Sequence, residues 1–144
     1  MYKRQLWHGP APAADLSAPA VTVLRDVTQG GVRELTLRIS SRRDASTLGL
    51  WVDGRSATVR SATVAGRDVP TDRSQGKWAF GFRLHGAPVD GVEARLELDQ
   101  HADGVTVRAA DSTHDLGVVP GFVPPPQGRV LVTPEVVVTR ALRL

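Results

Sequence analysis

Cysteine is absent from all 144 residues, which excludes a disulfide frame and any cysteine-based metal site but leaves the cellular compartment open. Asparagine is missing too, methionine occurs once, and lysine stands only at positions 3 and 77, every other cation being arginine. That usage matches GC-rich coding and carries no chemistry of its own. Aromatics make up 5% of the residues, so valine, alanine and leucine must supply most of any core. No apolar run approaches the roughly 20 residues of a membrane helix, and no apolar segment follows the basic start as in a signal peptide. Charge of one sign is not concentrated either. The net charge is +3, or +1 without Lys3 and Arg4, and beyond residue 5 only Arg42 and Arg43 are adjacent cations. A nucleic-acid partner needs a basic stripe, and this scatter argues against one.

What is present is a chain of 41% hydrophobic and 23% charged residues, the balance of one globular domain. A domain of this length buries roughly 68–70% of its unfolded surface. Residues 6–19, with Pro10, Pro12 and Pro19 among alanines, read as an extended linker, and residues 20–144 as the domain. From Ala20 onward alternation with period two dominates. "VRELTLRIS" sets Leu35, Leu37 and Ile39 on one face and Glu34, Thr36 and Arg38 on the other. "STLGLWVD" aligns Leu48, Leu50 and Val52, and Asp53-Gly54 then fits a tight hairpin turn. In "RSATVRSATVAG" a five-residue duplication would put Val59 and Val64 on opposite faces, so a bulge between them is expected. "KWAFGFRLHG" places Trp78, Phe80, Phe82 and Leu84 on one face, and "GVEARLELD" aligns Val92, Ala94, Leu96 and Leu98. Asp103-Gly104 turns into "VTVRAAD", and "GRVLVTPEVVVTRALRL" reads as two short strands around Pro134. About eight antiparallel strands with Gly/Asp turns predict an all-β sandwich, jelly-roll-like or immunoglobulin-like.

Candidate chemistry is sparse. "HADG" offers His101 and Asp103 at metal-ligand spacing, but a two-metal site needs several more ligands, and Glu34, Glu93, Glu97 and Glu135 are scattered. An exposed hairpin loop is the plainer reading. "DSTHD" gathers Asp111, His114 and Asp115, conceivable for calcium or zinc, while short Asp/Ser/Thr runs more often bond their own backbone. No Gly-x-Ser-x-Gly elbow is present for a serine nucleophile. Trp7, Trp51 and Trp78 could stack on sugars; Trp78 shares the phase of Phe80 and reads as core, whereas Trp51 falls out of phase and faces outward. "LGVVPGFVPPP", with Phe122, could meet a partner in extended form or pack over a sheet end. No catalytic residue, metal ligand or cofactor site is assigned to this chain. Trp51, Asp111, Asp115 and Phe122 remain as candidate interface residues.

The order of the segments "GGVRELTLR", "PVDGVEARLEL" and "VRAADSTHDLGVVPGF", with a terminal "VVVTRALRL", resembles the C-terminal β-domain of bacterial membrane-bound zinc exopeptidases. These belong to peptidase family 28, the vacuolar-membrane-protease type of aminopeptidase. The resemblance spans roughly residues 7–144 and departs where the family tends to have Gly-Leu-Pro, here Asp115-Leu116-Gly117. It implies a non-catalytic domain outside the cytoplasm, packed on or gating a peptidase domain. That domain and the membrane helices of the parent chain would be its partners, and zinc would belong to the peptidase domain alone. The alternative is a cell-envelope module that binds glycan or protein through a sheet face near Trp51. The opening "MYKRQ" resembles the translation of a sequencing adaptor with GTG as start, so residues 1–5 are expected to be non-native and Leu6 the first genuine residue of a truncated metagenomic gene.

Overall fold

A computed structural model describes residues 14–72, 76–100 and 104–144. Nine antiparallel strands stack in two sheets. They are β1 (Ala20–Gln29), β2 (Val32–Ser40), β3 (Thr47–Asp53), β4 (Ala57–Val64), β5 (Arg67–Asp68), β6 (Trp78–His85), β7 (Val92–Gln100), β8 (Thr106–Thr113) and β9 (Val136–Arg143). One sheet has the order β1-β2-β7-β4-β5 and the other β6-β3-β8-β9. The two-residue β5 is the strand beyond the expected eight. By position, β1, β2, β7 and β4 occupy the A, B, E and D places of an immunoglobulin sandwich, and β3, β8 and β9 the C, F and G places. The connection differs in one respect, because the strand beside C, β6, comes after the D position in the chain and not before it.

The apolar halves of the alternating strands meet between the sheets. Leu35, Leu37 and Ile39 of β2, Leu96 and Leu98 of β7, and Leu50 and Val52 of β3 are fully buried, with Phe80 as the largest core side chain. The expected bulge lies in β4, where the register slips between Val59 and Ser61. The slip returns Val59 and Val64 to one face, and both are buried. Two arginines tie the sandwich at its margin. Arg33 donates to Asp26 Oδ1 and Oδ2 at 2.8 and 2.6 Å, and its Nη1 reaches Gln100 Oε1 at 2.9 Å and the Leu144 carbonyl at 3.3 Å. Arg43 reaches in from the β2–β3 loop to Asp111 of β8.

Three expectations are corrected. Asp53-Gly54 is not a hairpin turn: it carries the chain from β3 across to β4 in the other sheet, held by the Ser56 amide on the Asp53 carbonyl (3.0 Å). Trp78 is not core. A register slip between Val52 and Asp53 leaves it opposite Asp53, turned out toward Arg108. Of the two pieces around Pro134 only β9 is a strand, and Val130 and Val132 stand more than four-fifths exposed. Residues 14–19 enter β1 without regular structure, whereas the leader, Trp7, His101 and Asp103 lie outside the described residues. Among the described residues no helix is long and apolar enough to cross a membrane.

Candidate functional site

The outer face of the four-stranded sheet is built around Trp51. In β3 its neighbour two residues back is Gly49, and its partner across the ladder in β6 is Gly81. The indole lies over both glycines, against bare backbone. A Cβ on Gly81 would fall 2.2 Å from Trp51 Cδ1, and one on Gly49 2.5 Å from Cη2. Glycine inside a strand weakens it and marks a close approach, and here the indole itself makes that approach. Beside it a hollow of about 260 Å³ is lined by Trp51, Gly81, Phe82 and Arg83. The Arg83 guanidinium is half exposed and stands 3.9 Å from Glu135, on the loop entering β9. On the same face Lys77 Nζ and Arg108 Cζ lie 4.7 and 5.2 Å from the centre of the Trp78 ring, within cation–π range.

The residues of "DSTHD" are drawn apart. Asp111 is 1% exposed and points between the sheets, so it cannot belong to an interface and is not in a turn. Its Oδ2 accepts from Ser41 Oγ at 2.6 Å and its Oδ1 from Arg43 Nη2 at 2.5 Å. Ser41 Oγ in turn accepts the amides of Arg43 and Ala45, each at 3.1 Å. His114 Nδ1 donates to the Pro134 carbonyl at 2.6 Å, tying the start of the β8–β9 loop to its end. Asp115 accepts from the Gly117 amide at 2.8 Å and caps the short 3-10 turn Leu116–Val118. The three side chains thus serve separate structural roles. Among the described residues no three His, Asp or Glu side chains gather as a metal cluster. Phe122 lies on the same loop, a third exposed.

Another hollow, of about 530 Å³, crosses the outer face of the five-stranded sheet. Its charges are satisfied among themselves. Arg25 and Arg95 each hold Glu34 at 2.9 Å, and Arg38 holds Glu93. Glu34 stands directly opposite Glu97 in the ladder, and the two arginines offset that like-charge contact. This surface is a solvated ion-pair ladder, each pair worth roughly 0–1 kcal/mol. At the β3–β4 crossing, Arg55 binds Asp53 through side chain and backbone and holds its carboxyl down at about 2, with a smaller contribution from Lys77.

Sequence reasoning placed Trp51 outward. It missed Gly49 and Gly81 as its floor and Arg83 as its neighbour, although Gly49 and Gly81 each interrupt an otherwise β-forming run. No protein-family model, curated protein or solved structure matches the chain.

Proposed function

We propose that this chain is a non-catalytic β-sandwich domain of a membrane-anchored zinc aminopeptidase, standing on the extracytoplasmic face and packing on or gating the peptidase domain. The observation that supports it is that Asp111, His114 and Asp115 are drawn apart, to Arg43, the Pro134 carbonyl and a 3-10 cap, so that the acid–histidine run does not converge on one point. On this reading zinc belongs to the peptidase domain. The family enters through the resemblance of the segments from "GGVRELTLR" to the terminal "VVVTRALRL". Sequencing the gene upstream of Leu6 tests the proposal, and in-frame codons for membrane helices are the expected result. Stoichiometric tight zinc in this chain, with turnover of an aminoacyl substrate, would defeat it.

The Trp51 face favours a second reading, a cell-envelope module that binds a ligand through the four-stranded sheet. Its support is the half-buried indole spread on a glycine floor beside an open hollow. Loss of ligand capture in Trp51→Phe with an unchanged thermal midpoint is the expected outcome.

A further inference from the structure

A ligand class for the Trp51 face can be inferred, on the basis of the second reading. Two strand-interior glycines are placed where an alanine would already collide with Trp51. A tryptophan seated this way shows one flat apolar surface to the solvent beside the sheet, a shape suited to the C–H face of a sugar ring. The hollow at its edge is walled by Arg83, whose guanidinium presents paired donors that match a carboxylate. Charge on this face is unbalanced. Lys77, Arg83 and Arg108 supply three cations, and of the carboxylates nearby Asp53 is held by Arg55. Among the described residues Glu135 pairs with Arg83, and at 3.9 Å it marks the direction from which a carboxylate is accepted.

We propose that the outer face of β6-β3-β8 carries a subsite for an acidic saccharide. One ring stacks on Trp51, and its carboxylate displaces Glu135 from Arg83. Neutral sugars lack the group that Arg83 selects, and acidic peptides lack the flat ring that Trp51 selects. Glu135 then acts as a weak internal competitor.

The test uses the full chain, titrated with oligogalacturonate and with hyaluronan fragments, read by tryptophan fluorescence and calorimetry. Saturable binding of at least one of the two is expected. Arg83→Gln, a half-exposed position, should weaken it at least tenfold, and Glu135→Gln should tighten it several-fold. Near-ultraviolet circular dichroism establishes that each variant keeps its fold. Maltohexaose binding as well as either acidic probe would overturn the acidic class while leaving the second reading standing. Absence of binding by any of the three saccharides would overturn the proposal, while capture of a protein ligand that Trp51→Phe abolishes would still uphold the second reading. Equal binding of poly-glutamate would overturn the proposal by reducing the face to a polyanion surface, as would an Arg83→Gln variant of unchanged affinity.

Discussion

Removing the carboxylate of Asp111 tests the interior most sharply. Its side chain is fully buried, and that of Arg43 is 7% exposed. Among the described atoms, Arg43 Nε and Nη1 have no hydrogen-bond partner, so Asp111 provides the one side-chain contact that compensates the guanidinium. Asp111→Ala leaves that cation in the interior with nothing opposite, and breaking a buried pair from one side costs about 3–5 kcal/mol. At roughly 3 °C per kcal/mol for a domain of this size, the thermal midpoint should fall by about 10–15 °C. The loss compares with a total stability of only about 5–15 kcal/mol. Replacing both partners reverses the argument. Arg43→Met with Asp111→Leu removes two desolvated charges and extends the apolar phase of Val107 and Ala109, and it should return to within about 1 kcal/mol of the parent or exceed it. Urea titration followed by far-ultraviolet circular dichroism measures both. A single variant that loses under about 1 kcal/mol, or a double variant no better than the single, would refute the reasoning.

Gly81→Ala should destabilise the domain by forcing the Trp51 indole off its seat, with a shift in tryptophan emission, and Gly81→Ala with Trp51→Ala should cost less than the sum of the two. Leu37→Ala, at a fully buried position, should cost about 2–5 kcal/mol in urea denaturation. Asp53, held at about 2 by Arg55, and Asp26, lowered by its hydrogen bonds from Arg33, both bind protons more weakly when folded. Their stabilisation is therefore present above the ordinary carboxylate range near 4 and is lost as pH falls from about 4 toward 2. The melting temperature should hold between pH 7 and 5 and drop below 4; a midpoint indifferent to pH down to 2 contradicts this. Val130→Ser, at an exposed position, should leave stability within about 0.5 kcal/mol.

Alternation told most of the fold because burial in a sandwich acts on every second residue. Leu35, Leu37 and Ile39 lie where their phase puts them, and the duplicated "RSATV" betrayed its bulge because two valines could not otherwise share a face. Trp78 failed for the converse reason: the slip opposite Asp53 has no such duplication to announce it. Asp111 was readable in part. It continues the phase of Val105, Val107 and Ala109, all fully buried, but its partner Arg43 lies 68 residues earlier, and nothing local signals a pairing that the fold alone brings about. "RVLV" has the composition of a strand yet pairs with no strand, since propensity describes fitness for a sheet and not the presence of a vacant edge. The Trp51 site was half visible, its tryptophan by phase, its glycine floor only once β6 lay beside β3.

The path of the chain between layers has a kinetic meaning. It passes from one sheet to the other at β2–β3, β3–β4, β5–β6, β6–β7 and β7–β8, like a lace drawn through two rows of eyelets. β1 with β2, β4 with β5 and, through a longer loop, β8 with β9 pair consecutive strands; β7 must find β2 and β4, and β3 must find β8, across long intervals. Neither layer is an autonomous half, so folding should be slow for a chain of this length, and a chain cut in the middle should leave neither piece with a complete sheet.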